Sequence, residues 1–193
     1  MSSNPLGLEV VPFDTRYREA FVRALQERDV RDALGLTEEP SDFDLNNGVA
    51  VTALGNGCER QNVRWWVILE SGSATWGAIE YGWRGSLDVT RELDLFRVAE
   101  LSTESSDVVW AMWCLARAVF SRRQVRRIRW QVRPEDKKSS IYRRLSFHEL
   151  GQCSFEGDVR DVFELSRRRF EHVETHLREH SGRFALLKAL RIT

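Results

Sequence analysis

Residues 106–120 of this chain, SDVVWAMWCLARAVF, are apolar on almost every side of the helix that their spacing predicts. The large apolar side chains of this segment are Val108, Val109, Trp110, Met112, Trp113, Leu115, Val119 and Phe120. A helix without a polar face has to be covered on most of its sides. Strand-like segments precede and follow it, so we expect a crossover helix that joins two strands of one sheet and packs on that sheet.

The strands around this helix are predicted by their apolar patterns. Residues 63–71, VRWWVILES, are apolar almost throughout, as in a central strand that is buried on both faces. Residues 74–84 and 91–99 alternate between apolar and polar side chains, and residues 126–132 do the same. Three successive strands, a crossover helix and another strand predict an α/β fold with a central mixed sheet flanked by helices.

The ends of the chain add a strand, a hairpin and several helices. Residues 8–13 form a short strand candidate, and residues 14–36 have the spacing of a helix with Asp14 or Thr15 as its cap. Residues 37–62 predict an irregular segment with one short element near 48–54. Residues 148–169 predict a hairpin that turns near Glu156 to Asp158, followed by an amphipathic helix and a last short apolar helix. We therefore predict one domain over residues 1–170, with a C-terminal helical extension over 171–193 packed on it.

The composition is that of an ordinary globular protein, because 42% of the 193 residues are hydrophobic and 30% are charged. The three cysteines are far apart and show no metal-binding spacing, which favours a reduced, cytoplasmic protein. The first residues lack a basic region followed by an apolar run, so we expect no signal peptide. No apolar run approaches the roughly 20 residues that span a bilayer, and we expect no membrane partner.

Three segments of the sequence resemble one enzyme family. In VRPEDKKSSIYRRLSFHELGQ, Pro134, Tyr142, Phe147 and Gly151 stand where the family has a strand end, a tyrosine helix and the start of the next strand. RELDLF resembles the family's fourth strand, and DVRDVFELSRRRF resembles its last strand. The family is the GNAT (N-acetyltransferase-like) acyltransferase superfamily, and the nearest resemblance is to its branch of ribosomal-protein alanine acetyltransferases and their small-molecule relatives. The resemblance covers roughly residues 8–170.

The resemblance implies acyl-CoA as co-substrate and a glycine-rich turn for the coenzyme A pyrophosphate before the crossover helix. Residues 102–109, STESSDVV, contain no glycine, and Glu104 and Asp107 compete with a phosphate for the helix N–H groups. A helix terminus favours an anion by only about 0.3–1 kcal/mol, which one carboxylate can cancel. The stretch is therefore either a rebuilt phosphate site or a lost one. The candidate donor-binding residues are Ser102, Thr103, Ser105, Ser106, Arg97, Arg133, Lys137 and Lys138.

The candidate catalytic residues are a tyrosine and three strand carboxylates. Tyr142 stands where the resemblance places the acid that protonates the leaving thiolate. Glu80, Glu92 and Asp94 lie on predicted central strands, where burial suits a carboxylate for accepting a proton from an ammonium group near neutral pH. The alternative for these carboxylates is that two of them face solvent or pair with Arg91 or Arg97, and for Tyr142 that it packs on the sheet.

Basic residues are concentrated between positions 117 and 144, where eleven of them are opposed only by Glu135 and Asp136. The candidate polyanion-binding residues are Arg122, Arg123, Arg126, Arg127, Arg129, Arg143 and Arg144. The formal net charge of the chain is zero, so the signal lies in this local density. The cluster is either a solvated basic face or a surface for a polyanion, such as tRNA or the acidic helix of an acyl carrier protein.

Three histidines, His172, His176 and His180, share one face of the C-terminal amphipathic helix. This face is otherwise rich in charged residues, and no carboxylate signature accompanies it, so we predict no metal site.

The sequence favours a GNAT-type N-acyltransferase that transfers an acyl group from an activated donor to the amine of a small-molecule acceptor. The resemblance implies that backbone N–H groups polarise the donor carbonyl where the family's fourth and fifth strands separate. Two alternatives stay open: a transferase that uses aminoacyl-tRNA or a carrier protein as donor, and a binding module of the same fold without catalysis. We expect a monomer or a homodimer.

Overall fold

The computed structural model describes residues 8–34, 53–54, 58–83, 89–98, 105–134, 147–155 and 158–179. The strands are β1 Leu8–Pro12, β2 Ala53–Leu54, β3 Cys58–Glu70, β4 Ser73–Trp83, β5 Thr90–Arg97, β6 Arg127–Val132, β7 His148–Phe155 and β8 Asp158–Ser166. The α-helices are α1 Arg18–Gln26, α2 Arg28–Leu34, α3 Ser105–Phe120 and α4 Arg167–Glu179. The sheet has the order β1-β3-β4-β5-β6-β8-β7, and β2 pairs with β3 outside this order. The predicted mixed sheet with flanking helices is confirmed.

Strands β3, β4 and β5 form an antiparallel meander, and β5 then pairs in parallel with β6 across the crossover helix α3. The turn from β3 to β4 is a two-residue one in which Ser71 and Gly72 both have positive φ, 50° and 84°. Such turns match the twist of the strands that they join. Strand β3 begins at Cys58, five residues before the strand predicted from its apolar core, because the polar residues 58–62 pair with β2 and β4.

The sheet has two faces, which we name by the helix that covers each of them. On the α3 face, Trp76 and Ala78 of β4 lie beside Ile68 of β3 and Leu93 of β5. On the α1 face, Ile79 and Tyr81 of β4 pack with residues of α1 and α2. Because neighbouring residues of a strand point to opposite faces, each strand contributes to both cores.

The crossover helix is buried as its composition predicts. Every residue of α3 from Val109 to Ala116 is buried, and Val119 and Phe120 complete its contact with the sheet. Helix α4 covers the other side of α3, since the Phe170 ring lies 4.8 Å from the Trp113 ring and 5.0 Å from the Phe120 ring. Helix α4 spans residue 170, where the sequence places a boundary, and residues 180–193 lie outside the described residues.

The single helix predicted for residues 14–36 is wrong in one respect, because the structure divides it. A 3-10 turn at Thr15–Tyr17 is capped by Asp14, whose Oδ1 accepts from the Arg16 amide at 3.0 Å. Helix α1 then ends at Gln26, and the next residue, Glu27, has an extended backbone (ψ 125°). The Arg31 guanidinium of α2 donates to the Leu25 carbonyl at 3.2 Å and to the Gln26 carbonyl at 2.5 Å. A cation that satisfies the last carbonyls ends a helix without a glycine.

Gly77 in the middle of β4 is required by the packing of the α1 face. A Cβ atom at this position would lie 2.3 Å from Phe96 Cζ and 2.9 Å from Phe21 Cζ. The two rings meet edge to face at 5.3 Å directly over the strand, so neither can move without disturbing the other.

We expect Gly77→Ala to lower the free energy of unfolding by about 1–3 kcal/mol, which is typical of overpacking in a core. Urea denaturation measures this change. In a Phe96→Ala background the same substitution should cost less, because the ring that it meets first is gone. An equal cost in both backgrounds would place the strain elsewhere.

Candidate functional site

Strands β5 and β6 separate soon after they begin. Their parallel ladder consists of three residue pairs, Thr90 with Arg127, Arg91 with Ile128 and Glu92 with Arg129. Strand β5 continues to Arg97 and β6 to Val132, and among the described residues these later parts have no pairing with each other. We call the space between them the β5–β6 gap. It lies inside the sheet, where backbone groups are normally paired.

The backbone of β5 points N–H groups into this gap. The Val98 amide donates to the Thr75 carbonyl of β4 at 3.1 Å, and the Val89 carbonyl accepts from the Arg126 and Arg127 amides at 2.7 and 3.0 Å. Successive residues of a strand direct their N–H groups to alternate sides, and the last β5–β6 pair, Glu92 with Arg129, already takes up the Leu93 amide, so the amides of Leu95 and Arg97 are the ones that face the gap. Two such amides in a row can polarise a carbonyl group that enters the gap.

Glu92 and Asp94, two of the sequence-predicted carboxylates, lie together on β5. Both point to the α1 face, since Glu92 pairs with Tyr81 and Asp94 with Ile79. Their exposed fractions are only 5% and 7%. Glu92 belongs to the last β5–β6 pair, so its carboxylate lies where the gap begins. The Gln131 amide of β6 donates to Glu92 Oε2 at 2.6 Å.

Glu80, the third predicted carboxylate, points to the opposite face and is fully buried. Its Oε2 accepts from the Trp66 indole N–H at 3.0 Å. Its Oε1 accepts from the Arg122 guanidinium and lies 3.4 Å from Arg91 Nε. The sequence alternative in which a strand carboxylate pairs with Arg91 is therefore confirmed for Glu80. Both oxygens of this carboxylate are occupied by the indole and the two guanidinium groups, so it has little room to contact an incoming amine.

The candidate donor-binding residues lie at the end of β5, after β6 and around the start of α3. Arg97 is exposed at the end of β5, with its guanidinium 5.8 Å from the centre of the Trp76 ring. Arg133 is exposed just after β6. Ser105 and Ser106 are the first two residues of α3, and their side chains are not described. Ser102, Thr103, Lys137, Lys138 and Tyr142 lie outside the described residues.

The described part of the basic cluster does not form one surface. Arg117 of α3 pairs with Glu174 of α4 at 2.7 Å, and Arg122 is turned inward to Glu80. On the α1 face, Arg129 and Arg127 lie 2.9 and 3.7 Å from the two oxygens of Glu164. The side chains of Arg123 and Arg126 are exposed. Arg143 and Arg144 lie outside the described residues.

Neither a metal-binding cluster nor a membrane span is present in the part of the chain that the structure describes. Histidine, cysteine, aspartate and glutamate side chains there form no group of three or more that would hold a metal ion. His172 is exposed on α4, whereas the side chains of His176 and His180 are not described. Among the described helices, none is long and apolar enough to cross a bilayer.

Sequence reasoning named Arg91 as a possible partner of the strand carboxylates but missed Gln131, which contacts Glu92. Arg91 is in phase with Leu93 and Leu95 on the apolar face of β5, and a charged residue in an apolar phase signals a buried ion pair. Gln131 alternates with Ile128, Trp130 and Val132 like any outward residue, so its contact with Glu92 has no sequence signal.

The architecture matches solved N-acetyltransferases. Aminoglycoside acetyltransferase AAC(6')-Ib in complex with ribostamycin and coenzyme A aligns with a TM-score of 0.68 and 15% identity, over 86% of this chain and 96% of that one. An aminoglycoside N(6')acetyltransferase from Legionella pneumophila aligns with a TM-score of 0.65 and 12% identity, over 89% of this chain and 98% of that one. A GCN5-related N-acetyltransferase from Brucella melitensis aligns with a TM-score of 0.62 and 13% identity, over 89% of this chain and 81% of that one.

The likeness is one of structure and not of sequence. No family model matches the sequence. No curated protein matches it either. At identities of 12–15% the structural matches show a shared fold.

Glu80→Ala should lower the free energy of unfolding by about 3–5 kcal/mol, because it leaves two largely buried guanidinium groups without their shared counter-charge. Chemical denaturation measures the change. The matched control is Glu70→Ala, an exposed glutamate on β3 that should change stability by no more than about 0.5 kcal/mol. A similar small effect for Glu80→Ala would show that the buried carboxylate contributes no net stability.

Proposed function

We propose that this chain, whose fold is that of the GCN5-related N-acetyltransferases, transfers an acyl group from acyl-CoA to the amine of a small molecule. The observation that carries the proposal is the β5–β6 gap. It combines backbone N–H groups that face an open space with a buried carboxylate at the point where the strands separate. This is the arrangement that acyl transfer to an amine requires: a site that polarises a carbonyl beside a group that accepts a proton.

The acyl carbonyl of the donor would lie in the gap against the amides of Leu95 and Arg97, beyond the last pair of the β5–β6 ladder. The negative charge that develops on its oxygen in the transition state would be stabilised by these N–H groups, which are already oriented by the β4–β5 ladder. Because the strand holds them in place, no reorganisation is needed when the charge develops.

Glu92 would act as the base. An incoming ammonium group loses its proton to the carboxylate, its nitrogen forms a bond to the carbonyl carbon, and the carbon–sulfur bond of the thioester breaks. Of the three predicted carboxylates, Glu92 lies at the start of the gap, Asp94 is two residues further along the same face, and Glu80 is buried on the opposite face between arginines. The geometry therefore favours Glu92, with Asp94 as a second group that holds the ammonium.

Tyr142 would return a proton to the departing thiolate. This role rests on the sequence pattern alone, in which Tyr142 follows β6 at the family's position for the leaving-group acid. A phenol suits the step because it holds its proton at neutral pH and can give it to a thiolate as the thiolate forms.

Coenzyme A is the proposed source of the acyl group. Helix α3 begins at Ser105, seven residues after Val98, so its N-terminal end follows the carboxyl end of β5. The amides of the first turn carry partial positive charge, and Arg97 at the end of β5 adds a full charge. Similar solved proteins contain coenzyme A and an aminoglycoside, which supports a coenzyme A donor and a small amine acceptor.

Calorimetric titration with acetyl-CoA at low salt tests the donor. We expect binding in the micromolar range that weakens as salt is added, because part of the attraction is between phosphate and cationic groups. Absence of binding would contradict a coenzyme A donor. In that case aminoacyl-tRNA and acyl carrier protein, the alternatives suggested by the basic residues, should be titrated next.

Replacement of the proposed base and acid tests the mechanism. Glu92→Gln and Tyr142→Phe should each lower kcat for acetyl transfer to an amine by roughly 10²–10⁴-fold, since each removes a proton-transfer group. The activity is measured by thiol release from acetyl-CoA with a panel of polyamine and aminoglycoside acceptors. The control is Glu149→Gln on β7, an exposed glutamate outside the gap. Full activity of both variants would favour the non-catalytic binding module.

A further inference from the structure

Gln131 joins the two strands that border the β5–β6 gap. The backbone ladder stops at the pair Glu92 and Arg129, two residues before Gln131 on β6. At that point the Gln131 amide donates across the gap to Glu92 Oε2 at 2.6 Å. Beyond the last backbone pair, β5 and β6 are thus connected by the hydrogen bond between the Gln131 and Glu92 side chains. This bond helps to hold the Glu92 carboxylate in place.

The other end of the Gln131 amide contacts a residue of β7, the edge strand, on the same face of the sheet. The Cys153 thiol of β7 donates to Gln131 Oε1 with the sulfur 3.7 Å from the oxygen. A glutamine side chain has a donor end and an acceptor end, and reversing it would bring a donor toward the thiol and an acceptor toward the carboxylate. The thiol contact therefore favours the same orientation of the amide as the carboxylate does, with the N–H end directed at Glu92.

The three side chains lie on one face of the sheet and span four strands. Glu92 is on β5, Gln131 on β6, and Cys153 on β7, which is separated from β6 by β8. Cys153 is half-buried, and Gln131 is half-buried between the other two. The β7–β8 hairpin, which contains no candidate catalytic group of its own, is in this way connected to the proposed base.

We propose that Gln131 is a positioning residue for Glu92, and that Cys153 orients Gln131 for this task. The inference rests on the proposed function, because it gives Gln131 a role in proton transfer through Glu92. A hydrogen bond from an amide stabilises the carboxylate and limits it to one rotamer directed along the gap. Without the bond, the carboxylate is less well placed for an incoming ammonium group.

Substitutions of matched shape separate positioning from packing. Gln131→Met keeps the length and volume of the side chain but removes both hydrogen-bonding ends. We expect kcat to fall roughly tenfold or more, with KM for acetyl-CoA unchanged. The acidic limb of the pH–rate profile should move to higher pH, because the carboxylate loses a donor that favours its charged form. An unchanged kcat and pH profile would overturn the proposal.

The thiol is tested by a rescue pair. Cys153→Ser retains a donor and should keep kcat close to that of the wild-type protein, whereas Cys153→Ala removes the donor and should lower kcat several-fold. Urea denaturation of both variants shows whether they fold alike. Equal kcat values for the two variants would remove Cys153 from the proposal.

A readout that needs no activity keeps the inference separate from the proposed function. The alkylation rate of Cys153 by iodoacetamide is followed by peptide mass spectrometry. Glu92→Gln should make it several-fold faster, because the Gln131 amide is then free to turn its N–H end toward the sulfur and stabilise the thiolate. The control is Asp94→Asn, which removes a neighbouring charge on the same face but leaves the Glu92–Gln131 hydrogen bond in place.

The outcomes of these experiments are distinguishable. If acetyl transfer is absent from the wild-type protein but Cys153 alkylation responds to Glu92→Gln, the proposed function fails and the connection between the three side chains stands. Suppose instead that acetyl transfer occurs and that Glu92→Gln and Asp94→Asn change the alkylation rate of Cys153 equally. In that case the rate depends only on the loss of a nearby negative charge, and the connection through Gln131 is overturned.

Discussion

The ion pairs of Glu80 determine how the crossover helix lies on the sheet. Helix α3 is covered almost entirely by apolar side chains, whose contacts are not directional. The Arg122 side chain, just after the C-terminal end of α3, reaches Glu80 in the middle of β4, and Arg91 of β5 lies beside the same carboxylate. A buried charge is costly unless it is paired, so this contact holds the C-terminal end of the helix against β4. The other end of α3, about 24 Å away, is placed at the carboxyl end of β5 as a consequence.

The proposed active site depends on a local interruption of the sheet. Parallel strands β5 and β6 are held together for three residue pairs and then diverge, so within the described part of the chain the later N–H groups of β5 on this side have no partner in β6. A backbone N–H group without a hydrogen-bond acceptor costs free energy in a folded protein, and an acyl carbonyl oxygen would be such an acceptor. The neighbouring ladders, β4 with β5 and β6 with β8, are continuous through this region, so the gap is held open from both sides.

The sequence predicted the elements of this fold better than it predicted their connections. The burial of α3, the alternation of β5 and the terminal hairpin follow from the spacing of apolar residues, which is a local property. The division of the first helix at Glu27 depends on a guanidinium group that lies four residues further on. The basic cluster is split because its members pair with different carboxylates: Arg117 with Glu174, Arg122 with Glu80, and Arg127 and Arg129 with Glu164. The contact of Gln131 with Glu92 joins residues that are 39 positions apart, and no local pattern contains it.

Two adjacent residues of β5 have different roles: Arg91 contributes to a buried ion pair, and Glu92 is the proposed base. Arg91 points to the α3 face, where it neighbours Glu80, and Glu92 points to the α1 face, where it accepts a hydrogen bond from Gln131 at the start of the gap. Because the period of a strand is two residues, a shift of the register by one would exchange these two side chains. It would bury a second carboxylate beside Glu80 and turn an arginine toward the gap. The ion pairs on one face therefore select the register that presents the proposed base on the other.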